Sequence, residues 1–178
     1  MESLGPPDSV HLRAAEGWLG LGDHESANQE LESISAEFQI HPEVLATRYC
    51  VSAARKDWGA CVEVGQRLVE QEPNQSFGWI NRSYAIRRAP GGSVQSAYDA
   101  LLPAAERCED LEQVSFNLAC YACQLGRLEE AREWLAKAFD AAAHRGRLKW
   151  RQQEALADAD LQPLWHEIRN ALPSNPTD

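Results

Sequence analysis

Residues 111–140 read LEQVSFNLACYACQLGRLEEAREWLAKAFD, and their apolar positions recur at helical spacing twice over. Leu111, Val114, Leu118, Ala122 and Leu125 form one stripe, and Leu128, Ala131, Leu135 and Ala138 form the next. Such i, i+3, i+4, i+7 recurrence marks an amphipathic helix, because 3.6 residues per turn brings those side chains to one face. Gly126 separates the two stripes, so the stretch predicts two antiparallel helices joined by a short turn. Ala119, Ala131 and Ala138 put small side chains where the helices would cross, letting their backbones approach closely.

This hairpin resembles a tetratricopeptide repeat, a helix–turn–helix unit of about 34 residues with small residues near its eighth, twentieth and twenty-seventh positions. Counted from Glu112, the three alanines occupy those positions. The resemblance implies an all-α chain, an α-α superhelix (a TPR solenoid) of about four repeats with C-terminal capping helices. It also implies a non-catalytic role in binding another protein.

Working outward, the expected single domain divides into repeats at about 8–41, 42–75, 76–110 and 111–144, a cap at 147–172 and a tail at 173–178. Pro6-Pro7-Asp8 reads as a helix entry with Asp8 as its cap, and Gly22 as a C-terminal stop. Ala15 and Ala27 match the small positions of the first repeat, but Ile34 does not. The second repeat predicts helices at about 42–55 and 57–71. There Tyr49 stands at a normally small position and Gly65 at a normally bulky one, which suggests that the Tyr49 ring fills space left at Gly65. The third repeat carries a two-residue insertion around Pro90-Gly91-Gly92, with Ser93 as a plausible cap, and its return helix must distort or end early at Pro103. After His144-Arg145-Gly146, a helix over 148–157 and another from about Leu161 to Asn170, entered by Asp158-Ala159-Asp160, would cover the last repeat.

Composition narrows the function. A formal charge of −10 argues against a general binder of nucleic acid or anionic membranes, since both require basic surface. No run of 18 apolar residues predicts a membrane span, and MESLGPPDSV has neither the basic nor the apolar region of a secretory signal. Five cysteines, an odd number dispersed through helical patterns, suit a reducing compartment, so the expected location is cytoplasmic.

In the repeat family the first helix of each unit faces the ligand. The matching positions are Phe77, Ile80, Asn81, Tyr84, Arg87 and Arg88 in the third repeat, and Gln113, Phe116, Asn117, Cys120, Cys123 and Gln124 in the fourth. Aromatic rings, paired asparagines and arginines suit a peptide with an acidic segment or a free C-terminus. The bland reading of Arg87 and Arg88 is a pair of solvated residues that favour a helix C-terminus, and of Phe77 and Tyr84, packing between repeats. Residues 1–40 hold eight acidic and one basic side chain, whereas 41–109 hold eight of each. An acidic first repeat docking on a basic third repeat of a second copy is therefore the alternative, a homodimer. The lysine and asparagine with which one subgroup clamps chaperone C-termini are replaced by Leu12 and Glu16, which makes that mode unlike this chain.

Chemistry finds little support. Cys120 and Cys123 form a CxxC, but mid-helix, away from the N-terminal dipole that activates redox thiols. Zinc would need further ligands, and only Cys108 or His144 offers itself, at no recognised spacing. No phosphate loop, HExxH or GxSxG occurs, and His11, His24, His41, His144 and His166 are scattered. The six tryptophans fall at helical positions that suit packing. No enzymatic activity, metal or cofactor is expected.

Overall fold

The computed structural model describes residues 3–170, which are helical throughout, without β-strands among them. The expected tail at 173–178 and the end of the cap lie outside those residues. The chain divides into two compact units between Ser93 and Val94.

The first unit contains α1 (Asp8–Gly20), α2 (His24–Ser33), a 3₁₀ turn (Ala36–Phe38), α3 (Pro42–Ala54), α4 (Trp58–Gln71) and α5 (Ser76–Arg88). Each helix packs on the next in sequence, and α1 also reaches α3. Local chemistry sets the boundaries. Asp23 and Asp57 cap α2 and α4, their carboxylates accepting from the backbone N–H of Ser26 at 3.0 Å and of Ala60 at 3.1 Å. Pro42 sits in the first turn of α3, where its missing N–H has no helical partner to lose.

A left-handed residue closes the α1–α2 and α3–α4 turns, and others recur further along the chain. Positive φ occurs at Gly22, Lys56, Gly91, Gly126 and Gly146, the first four spaced 34, 35 and 35 residues apart and the last 20 further on. At four of them the following N–H bonds back to a carbonyl five residues earlier: Asp23 to Trp18, Asp57 to Ser52, Arg127 to Ala122 and Arg147 to Ala142. The recurrence of this turn is compatible with a helical repeat.

Two apolar layers meet at α3. Leu12, Ala15, Ala27, Leu31 and Ile34 pack with Val44 and Val51 on one side of it. Leu45 and Tyr49 pack with Cys61, Val64, Leu68 and Ala85 on the other. Two expectations need correction here. Asp8 does not cap α1; it lies in the first turn, buried, and its carboxylate accepts from the Ser35 N–H at 2.6 Å and hydroxyl at 3.2 Å, tying the start of α1 to the end of α2. The space over Gly65 is filled by the α5 backbone and not by the Tyr49 ring, since a Cβ there would stand 2.9 Å from Arg82 Cα.

The second unit contains α6 (Val94–Leu101), α7 (Ala104–Arg107), α8 (Leu111–Gln124), α9 (Leu128–His144), α10 (Leu148–Ala157), a 3₁₀ turn (Ala159–Leu164) and α11 (Trp165–Asn170). The α8–α9 hairpin is the most extensively packed pair, with Ala119, Ala131 and Ala138 wholly buried. Ten of the 14 residues of α8 are buried, because α6, α7, α9 and the 159–164 turn all pack on it. Pro103 ends α6 early, as its missing N–H requires. Pro163 likewise makes the expected final helix a 3₁₀ turn followed by α11, with Leu161, Leu164 and Ile168 buried beneath.

Candidate protein-binding surface

The α5 helix begins after a turn that Trp79 anchors, its indole N–H donating to the Pro73 carbonyl at 2.9 Å. Gly78, Trp79, Ser83 and Ala85 face inward. Phe77, Asn81, Tyr84 and Arg88 follow at spacings of four, three and four, which places them along one outward face. Phe77 and Tyr84 are each 42% exposed, uncommon for aromatic residues on a packed helix.

Neighbouring helices fix these rings. The Tyr49 hydroxyl of α3 donates to the Asn81 carbonyl at 2.8 Å, and its ring meets Phe77 edge-on at 6.4 Å between centroids. Burial pushes the Tyr49 phenol above its ordinary range, so it remains a donor. Trp58 of α4 meets Tyr84 edge-on at 5.9 Å. The Arg88 guanidinium lies 3.3 Å over the Tyr84 ring and 5.7 Å from Trp58. Asn81 Nδ2 donates to the Phe77 carbonyl at 2.9 Å. Ile80 and Arg87 are half-buried.

The residues expected to bind on α8 have another environment. Phe116, Cys120 and Cys123 are buried, which corrects their expectation as an open lining. The cap covers them: the Arg151 guanidinium lies 4.8 Å from the Phe116 ring, and Cys120 Sγ donates to Asp158 at 3.5 Å. Gln113 accepts from Arg151 at 3.0 Å and its carbonyl accepts from Asn117 at 2.9 Å. Gln124 Nε2 is buried without a hydrogen-bond partner among the described residues.

Beneath the cap lies a carboxylate the sequence reading missed. Glu112 is fully buried and accepts from Arg151 Nε at 2.8 Å and from Arg147 Nη2 at 2.7 Å. Arg145 stands 3.6 Å away and bonds Asp110 at 2.8 Å. Burial pushes the Glu112 carboxyl up, but the arginine hydrogen bonds and charges outweigh it, and the group titrates below its ordinary value. The clue in sequence was the arginine-rich 145–151 segment following an acidic helix start, a pattern that does not say which charges will be buried.

Burial, joined by the nearby Asp158 carboxylate, pushes the Cys120 thiol far up, and burial raises Cys123 as well. Neither is an activated nucleophile. No cluster of three or more metal-ligating side chains occurs among the described residues, and none of their helices is long and apolar enough to cross a membrane. Comparison with protein-family profiles and with curated proteins gave no match.

Proposed function

We propose that this chain is a non-catalytic protein-interaction module of tetratricopeptide-type hairpins, which binds an extended peptide segment of a partner on the outward face of α5. The observation that carries this reading is the row Phe77, Asn81, Tyr84 and Arg88, in which two half-exposed rings are held by Tyr49 and Trp58 from below. Rings held in place bind with little loss of side-chain freedom, and such aromatic and arginine anchors carry much of the energy in known interfaces. Arg88, stacked on Tyr84, presents a guanidinium suited to a carboxylate from an acidic side chain or a chain terminus.

The test is affinity capture from native cell extract, comparing the wild-type chain with a Phe77→Ala/Tyr84→Ala variant. Both positions are exposed enough for the fold to persist, which a thermal melt verifies. Loss of a specific partner from the variant is the expected result. Equal capture by both chains would move the binding surface off α5.

A further inference from the structure

A second surface lies within the 94–170 unit and has its origin in the sequence Leu101-Leu102-Pro103. The α6 helix is seated on α9 through Tyr98, whose hydroxyl bonds Glu130 and accepts from the Trp134 indole N–H at 3.2 Å. At Leu101 that helix stops after eight residues, where α4 runs for 14. Pro103 redirects the chain into the four-residue α7. Beyond Trp134, α9 therefore continues with one flank uncovered.

The result is an open trough of about 790 Å³ bounded by the 102–106 segment, α8 and α9. Along α9 it extends from Trp134 to His144, about 15 Å at 1.5 Å per residue, or nearly three helical turns. Its walls are apolar. Leu102 and Leu111 are 39% and 42% exposed there, and Pro103 and the Trp134 ring add to the apolar part of the lining. The length of the trough and its origin in a curtailed helix fit another helix.

The balance of charge in the lining favours a basic helix. Glu106, Asp140, Lys137 and His144 line the trough, and neither the Glu106 nor the Asp140 carboxylate has a hydrogen-bond or ion-pair partner among the described residues. The one lysine of the lining, Lys137, is drawn 4.0 Å over one face of the Trp134 ring, which leaves the two carboxylates unneutralised. We propose that this trough is a docking site for a basic amphipathic helix of a partner protein, its leucine-class side chains against Leu102, Leu111 and Trp134 and its lysines or arginines against Glu106 and Asp140. The binding mode is helix in groove, separate from the α5 face.

The experiment uses the full chain and fluorescein-labelled 14-residue helical peptides, read by fluorescence anisotropy. One peptide places leucines at i, i+3, i+4 and i+7 with lysines elsewhere, a second carries glutamate for lysine, and a third shuffles the leucine and lysine positions. Saturable one-to-one binding of the first is expected, with at least tenfold weaker binding of the other two. A Leu102→Asp/Leu111→Asp variant, which is more acidic than the parent, should lose at least tenfold; retained or tighter binding would expose mere charge attraction and overturn the proposal. Should that variant fail to melt cooperatively, Glu106→Lys/Asp140→Lys provides the second test, with the preference between lysine and glutamate peptides expected to reverse. An unchanged preference, or dimerisation of the wild-type chain in sedimentation that the aspartate variant abolishes, would also overturn it, the latter by assigning the trough to a second copy.

Discussion

Gly65 and Gly78 form a reciprocal notch between α4 and α5. A Cβ on Gly65 would stand 2.8 Å from Arg82 Cβ and 2.9 Å from its Cα, and one on Gly78 would stand 2.9 Å from Leu68 Cβ and 3.0 Å from the Val69 nitrogen. Because the obstacles are backbone and Cβ atoms and not flexible side-chain ends, alanine must push the helices apart. Overpacking of this kind costs about 1–3 kcal/mol, more than the roughly 1 kcal/mol that alanine gains over glycine in a helix. Gly65→Ala should thus lower the melting temperature by several degrees. Gly17→Ala, within α1 where nothing lies within 4 Å of the new Cβ, should raise it instead. Differential scanning calorimetry of the two variants gives the comparison, and an equal shift in both would remove the notch as the cause. The anomaly of Gly65 beside Tyr49 was legible in the sequence, but which neighbour filled the space was not, because residue volume does not say whether a side chain or a backbone will occupy it.

Among the elements, helix boundaries were the most legible feature. Gly22 and Gly126 closed their turns and Pro103 broke the helix in which it stood, whereas Asp8, read as a cap, lies inside α1. Each is a local effect written in one or two residues. What the cap would cover was less legible, since the α8 positions assigned to binding by resemblance could not reveal that Arg151 and Asp158 come over them. The Glu112 network that secures this cap permits a sharp test. Removing one partner of a buried ion pair costs about 3–5 kcal/mol, so Glu112→Gln, which keeps the volume and loses the charge, should markedly destabilise the protein at pH 7. The sign with pH follows from the depressed titration of Glu112: its contribution is fully present above its ordinary value near 4.5 and is lost as pH falls through the lower folded value. Urea unfolding of parent and variant should accordingly show a stability gap at pH 7 that narrows as pH drops well below 4.5. A gap independent of pH would show that Glu112 acts through shape and not charge.

Across the whole chain, the two units distribute their contacts differently. In the first, α3 stands between two separate apolar clusters, one shared with α1 and α2 and the other with α4 and α5. Stacked helical layers of this sort have stabilities that approximate a sum of local and nearest-neighbour contributions. In the second unit α8 is instead a hub, buried at once by α6, α7, α9 and the 159–164 turn. Removing any one neighbour exposes the same helix, so those elements should open together. Hydrogen exchange read by mass spectrometry can separate the two behaviours, because protection reports the opening free energy of each segment. Gly65→Ala should weaken protection most in α4 and α5, less in α3 and least in α1 and α2. Glu112→Ala should weaken α8, α9, α10 and the 159–164 turn by similar amounts, because the loosened cap rests on α8 and α9. A uniform loss from α1 to α5 in the first variant would contradict the layered reading, and a loss confined to α10 in the second would contradict the hub.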